Sequence, residues 1–249
     1  MAGKQRINQA IFLSAVVMQA LQQYKKEGTP VLPRGYRYIA ALGGRGHPYL
    51  GFIIQSSTKV IVAFRGTENM QDVLSDLDWR QVKYPYVPAG GQTHRGFTDL
   101  YTRAVRVMLL KHLRKLYSPG KRLIITGHSL GGALATLCAP DVTAHTGFKR
   151  PWVVTFGSPK VGNPAFVAAF HRTVGDSLRV VNTSDIVPRF PPSTTSLAYR
   201  NIRRPLYIRF SAVTAVGRHK IRSYYRALAA LSPVYSNRMC KMNPHFCNA

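Results

Sequence analysis

A serine attacks an acyl carbon at neutral pH when a neighbouring base takes its proton and a third group holds that base in place. Three residues of this 249-residue chain have the types and the order for such a relay: Ser129, Asp185 and His219. Ser129 is the centre of Gly127-His128-Ser129-Leu130-Gly131, a G-x-S-x-G run. The run follows the apolar segment Leu123-Ile124-Ile125-Thr126 and precedes a stretch, 130–145, that reads as a helix. A strand that turns sharply into a helix lifts the serine hydroxyl above the sheet edge, and glycines let the backbone make that turn. The positive end of the helix then lies beside the reacting centre. The competing reading is an ordinary glycine turn with a buried serine.

The search for partners is short. Only Asp141, Asp176 and Asp185 are acidic after Ser129. Asp141 falls in the helix after the serine, and Asp176 precedes a strand, at its wrong end. Asp185 follows the strand 178–182, at the carboxyl end where an orienting acid belongs. Only His219 and His245 come after it. His245 sits in a polar tail, whereas His219 opens the last predicted helix, with Ile221, Tyr224 and Tyr225 behind it as anchors. These positions make Ser129 the candidate nucleophile, His219 the base and Asp185 the acid that orients it. The tetrahedral intermediate needs N–H donors. The backbone of Leu130 and that of Thr67, at the end of the strand 59–65, are the candidates, and Arg65 is read as a structural clamp.

The elements that must position these residues follow from pattern. A helix is predicted over 5–26, a hairpin of strands over 50–55 and 59–65, a loop over 83–93 and an amphipathic helix over 98–117. The inward face of that helix is assigned to Tyr101, Ala104, Val105, Met108 and Leu109. Strands at 121–126, 152–156, 178–182 and 206–211 alternate with helices at 130–145, 164–174 and 219–231. Near-continuous apolar strands alternating with helices imply an α/β protein, with a mostly parallel central sheet and helices on both faces. The chain reads as one domain, 1–249, with an N-terminal helical segment 1–30 and a C-terminal tail 232–249. Lys4 and Arg6 before the apolar run 10–18 faintly suggest a leader peptide, but Gln19, Gln22, Gln23, Lys25 and Lys26 follow without a cleavage site. A packed helix is therefore expected, and the run is too short to cross a bilayer.

Composition points to a polyanionic or anionic-lipid environment. Lys and Arg number 35 against 9 Asp and Glu, a formal charge of +26, and no acidic residue follows Asp185. Arg200, Arg203, Arg204 and Arg209 form a dense run. No zinc-finger, aromatic-basic or recognition-helix pattern accompanies the charge, so nucleic acid remains a partner by charge only. Of three cysteines, Cys240 and Cys247 are placed to bridge, and Cys138 is expected buried and free. The chain has no C-x-x-C and its eight histidines are scattered, so no metal site is expected.

Several ordered segments carry a resemblance. They are VAFRGT at 62–67, SDL at 75–77, HRGF at 94–97, ITGHSLGGALA at 125–135, TFGSPKVGN at 155–163, VVNTSDIVPRFP at 180–191 and HKIRSYY at 219–225. Together they resemble the class 3 lipases, the fungal triacylglycerol lipase type of the α/β-hydrolase fold. The resemblance implies neutral ester substrates, no metal or organic cofactor, Ser129, Asp185 and His219 as the triad, and Thr67 and Leu130 as oxyanion donors. The chain departs from the family where Val73 replaces a tryptophan common in the lid helix, and in the absence of the fungal cysteine pattern. It also has only a short stretch between Asp185 and His219. In 68–77, Met70, Val73, Leu74 and Leu77 fall on one helical face, which suits a lid with Met70, Val73 and Leu74 as lipid contacts, or a fixed surface helix. The expected activity is acylglycerol hydrolysis through an acyl-enzyme, with a phospholipase A or a soluble-ester or feruloyl-type esterase as alternatives. A catalytically idle polyanion-binding protein is the alternative from another class.

Overall fold

In a computed structural model of the chain, residues 2–44, 46–67, 79–195 and 197–248 are described. The strands are β1 (Arg37–Gly44), β2 (His47–Gln55), β3 (Lys59–Phe64), β4 (Gln81–Lys83), β5 (Gln92–His94), β6 (Arg122–His128), β7 (Trp152–Phe156), β8 (Asp176–Asn182) and β9 (Pro205–Ile208). Seven of them form one sheet in the order β1-β2-β3-β6-β7-β8-β9. The steps β1–β2 and β2–β3 are antiparallel, and every step from β3 to β9 is parallel. A mostly parallel sheet with an antiparallel edge hairpin results.

Successive side chains of a strand point to opposite faces, so a strand that is apolar throughout needs cover on both. In β3, Val60, Val62 and Phe64 join one buried cluster, with residues of the helices Leu130–His145 and Pro164–Thr173. Ile61 and Ala63 join the other, with the helices Ala2–Lys26 and Ile221–Leu231. The N-terminal helix is buried around most of its girth: Ala10, Ile11 and every residue from Leu13 to Ala20 are inaccessible. Its Gln19 amide is satisfied inside, donating to Phe246 O and accepting from Val31 N. Among the described residues no helix is long and apolar enough to cross a membrane.

Four expectations change. Arg37–Gly44, unassigned from sequence, forms the edge strand β1, whose largely half-exposed residues lack a continuous apolar signal. The ends of the expected loop 83–93 are paired as β4 and β5, a two-stranded antiparallel sheet. The helix expected over 98–117 starts at Arg95 and runs to Leu116, with a π-helical stretch at Tyr101–Arg106. A π turn holds more residues than an α turn, which rotates the later turns of the helix: Met108 is 41% exposed, while Leu109, Leu110 and Leu113 are buried. Finally, the tail, read only as polar, contains a helix, Pro233–Met242. The Cys240–Cys247 bridge that the sequence allowed is formed, and the fully buried Phe246 beside it lies against Phe12. Cys138 is buried and free.

Candidate active site

Ser129 lies between the end of β6 and the start of the helix Leu130–His145. Its backbone is at φ 57°, ψ −125°, a region that costs a non-glycine residue on the order of 1–3 kcal/mol. The neighbours compel this turn. A Cβ at Gly127 would lie 2.1 Å from Gly131 O, and one at Gly131 would lie 2.4 Å from Phe64 O. Both flanking glycines are needed for β6, the helix and β3 to meet. The Ser129 N–H is used by Phe156 O at 3.0 Å, tying the turn to β7.

Asp185 follows β8 and His219 closes a short helix, Ala215–His219, so His219 does not open the last helix as expected from sequence. The parallel strands deliver all three side chains to the carboxyl edge of the sheet. Ser129 Oγ is 2.7 Å from His219 Nε2, and His219 Nδ1 is 2.7 Å from Asp185 Oδ2. All three residues are buried. His245 remains in the tail, and Asp141 is engaged elsewhere by Tyr101, Arg106 and His145.

Three residues complete the arrangement. Tyr224 donates its hydroxyl to Asp185 Oδ2 at 2.7 Å and accepts the Asn182 N–H at 3.1 Å. Burial, with the Asp185 charge beside it, pushes this phenol well above its usual pKa, so it stays a donor. Val187 N–H donates to Asp185 Oδ1 at 3.0 Å, so both carboxylate oxygens are held. His128 Nε2 lies 2.6 Å from His219 O. A carbonyl only accepts, so this nitrogen carries a proton and fixes the His219 backbone. Burial, then the neighbouring His219, depress the His128 pKa well below 6.5, which keeps the ring neutral. The sequence signal for His128 was its place in the serine motif, which served only as spacing. For Tyr224 it was its place five residues after His219.

Thr67 ends the segment that runs from β3 past Ser129. A Cβ on its neighbour Gly66 would lie 3.0 Å from Ser129 Cβ. The Leu130 N–H opens the helix and so has no carbonyl within it to meet. Gly66, next to Thr67, and Leu130 thus both lie beside the serine. Arg65 donates to Tyr49 O at 2.8 Å and to Gly66 O at 3.0 Å and stacks over the Tyr24 ring, bracing that segment. A cleft of about 450 Å³ opens beside His219 and Thr67, walled in part by Met18 and Leu21 of the N-terminal helix and by Ile221. Lys25, Lys220 and Arg222 also border it. The expected lid contacts Met70, Val73 and Leu74 lie outside the described residues. Among the described residues no cluster of His, Cys, Asp or Glu could hold a metal ion.

A family model, Lipase (class 3), matches residues 61–195, more than half of the chain. The chain belongs to the class 3 lipase family. It is 34% identical to a Caenorhabditis elegans lipase over 62% of this chain and 44% of that protein. It is also 34% identical to phospholipase A1-II 1 of Oryza sativa subsp. indica, again over 62% of this chain and 44% of that protein. Its fold matches the Rhizomucor miehei lipase in complex with its propeptide, with a TM-score of 0.69 and 26% identity over 82% of this chain and 68% of that one. The matches span less than half the length of these two sequence relatives. The seven-stranded sheet with helices on both faces is the α/β-hydrolase fold expected for a class 3 lipase.

Proposed function

We propose that this class 3 lipase is a serine carboxylic-ester hydrolase that cleaves acylglycerols through an acyl-enzyme. The observation that carries this reading is the continuous contact Ser129 Oγ–His219 Nε2 and His219 Nδ1–Asp185 Oδ2, each 2.7 Å. In the first step His219 takes the Ser129 proton as Oγ bonds to the ester carbon, and the carbonyl oxygen becomes an oxyanion facing the N–H groups of Leu130 and Thr67. Collapse of the intermediate breaks the C–O bond, and His219 gives its proton to the leaving alkoxide. Water then repeats the sequence on the acyl-enzyme, releasing a fatty acid and free Ser129. Asp185 accepts the Nδ1–H and holds the imidazolium in place.

The Met18, Leu21 and Ile221 wall suits an acyl chain, and Lys25, Lys220 and Arg222 suit an anionic interface, so we read the working surface as lipid that carries negative charge. The same cations favour a second reading, phospholipase A, consistent with the rice relative's being a phospholipase A1. The test has two parts. Wild-type protein should take an organophosphonate label that Ser129→Ala refuses, and Asp185→Asn and His219→Ala should each lower turnover severely while His245→Ala does not. A panel of emulsified acylglycerol, phospholipid and dissolved aryl ester then ranks the substrates. Faster hydrolysis of the dissolved ester, with no rise above its solubility limit, would refute the lipase reading. Retained activity in Ser129→Ala would refute the mechanism.

A further inference from the structure

A concentration of positive charge lies away from Ser129. A cavity of about 440 Å³ opens at the amino ends of β3 and β6, between them and the N-terminal helix. Six cations line it: Arg6, Lys59, Lys121, Arg122, Lys149 and Arg150. Half of its twelve lining residues are therefore Lys or Arg, whereas such residues are 35 of 249 in the chain.

The cluster is assembled by the fold. Lys59 and Arg122 are register partners on adjacent parallel strands, an arrangement in which like charges repel. Lys121 is steadied by Gln55 Oε1 at 3.1 Å, and Lys149 by the carbonyls of Thr143 and Thr146 at 2.7 and 3.0 Å. Those oxygens are neutral, so they fix the ammonium groups without cancelling their charge. The one carboxylate lining the cavity among the described residues, Asp176, is already shared by Arg6 and Arg204. Trp152 and the amides of Gln5 and Gln9 supply an aromatic face and neutral donors.

We propose that this cavity binds a compact cluster of phosphate groups. Phosphate offers several charged acceptor oxygens in a small volume, which is what a ring of guanidinium and ammonium donors matches. The concave shape and the wall made by the N-terminal helix favour a compact ligand over an extended backbone. Arg122 begins β6 and Ser129 follows its last residue, seven steps along the strand, about 23 Å at the usual rise per residue. A ligand held here leaves the ester cleft open. The proposal is independent of the hydrolase reading.

The experiment is calorimetric titration of the full chain with inorganic tripolyphosphate in about 0.15 M salt, where screening acts over about 8 Å. A combined Lys59→Gln, Arg122→Gln, Arg150→Gln variant should bind about 150-fold more weakly. A charge-matched Lys115→Gln, Arg226→Gln, Arg238→Gln variant should lose less than about threefold. Both should keep the melting temperature and the dissolved-ester rate. Equal losses in the two variants, or no saturable binding by the wild type, would overturn the proposal. A second readout needs no charge removal: in Trp79→Phe, Trp152 is the remaining tryptophan, and its emission should change with the calorimetric midpoint. Unchanged emission would also overturn the proposal. Vesicles bearing phosphatidylinositol bisphosphate separate the sources: competition with tripolyphosphate supports a headgroup ligand, and its absence supports a free one. If duplex DNA shows the site-specific loss and tripolyphosphate does not, the compact-ligand proposal is wrong.

Discussion

Gly157→Ala should damage turnover more than it damages the fold. Gly157 has φ +54°, and a Cβ there would lie 3.0 Å from Asp185 Oδ2, 3.0 Å from the Tyr224 hydroxyl and 3.1 Å from His219 Cε1. The left-handed backbone alone costs an L-residue about 1–2 kcal/mol. The contacts cost more, because at least one neighbour must move by a few tenths of an ångström. Asp185 Oδ2 has little freedom, since it already meets His219 Nδ1 and Tyr224 at 2.7 Å each. A charge-assisted hydrogen bond lost or stretched is worth about 1.5–3 kcal/mol. Expressed at the imidazolium that forms during acyl transfer, that range corresponds to a fall in kcat of roughly 10- to 150-fold. KM for a dissolved ester should stay within about twofold, because Gly157 does not border the cleft. Gly120→Ala is the control: φ there is +83° with open space around the Cβ, so it should lose similar backbone stability and keep kcat. Steady-state kinetics and denaturant midpoints on both variants decide the matter. A wild-type kcat in Gly157→Ala, or an equal loss in both variants, would refute the argument from crowding at Asp185.

Three further outcomes are expected. Tyr224→Phe removes a donor from Asp185 and leaves the Asn182 N–H without its acceptor, so it should destabilise by about 2–3 kcal/mol and lower kcat, both readable in urea melts and ester assays. His128 is buried neutral with a depressed pKa. The unfolded chain takes up its proton near the ordinary histidine value of about 6.5, so stability is lost as pH falls below that value. Urea midpoints at pH 7.5 and 5.0 should show a wild-type loss about 2 kcal/mol greater than that of His128→Gln, and parallel losses would contradict the assignment. Met108→Lys should change stability by less than about 0.5 kcal/mol, whereas Leu109→Ala should cost about 2–5 kcal/mol. The reverse order would mean that the π turn does not set the phase of that helix.

The parts of this protein legible in its sequence are those encoded by neighbours along the chain. The apolar run into Gly127-His128-Ser129-Leu130-Gly131 specifies strand, turn and helix within about twenty residues, because the same glycines that permit the turn are adjacent to it. The scarcity of acids after Ser129 and of histidines after Asp185 leaves few partners to choose from. β3, β7 and the helices at 130–145 and 164–173 are visible for the same local reason. Where local signal weakens, the reading fails: β1 has only a half-exposed edge pattern, and the π turn shifts the face of a helix whose periodicity looks regular.

What tertiary structure alone decides is which distant groups share a space. The run Arg200, Arg203, Arg204 and Arg209 looks like one patch in sequence. The fold divides it, since Arg203 and Arg204 precede β9 and Arg209 follows it, at opposite ends of the sheet. Conversely, Arg6, Lys59, Arg122 and Arg150 are scattered along the chain and converge on one cavity. The Tyr224 hydroxyl on Asp185 and the His128 ring on the His219 carbonyl are likewise contacts across 39 and 91 positions. The physical reason is the parallel sheet. Each crossover returns the chain to the same edge, so amino ends collect at one side and carboxyl ends at the other. Sequence spacing carries the periodicity of each element, but only strand order and register determine which ends become neighbours.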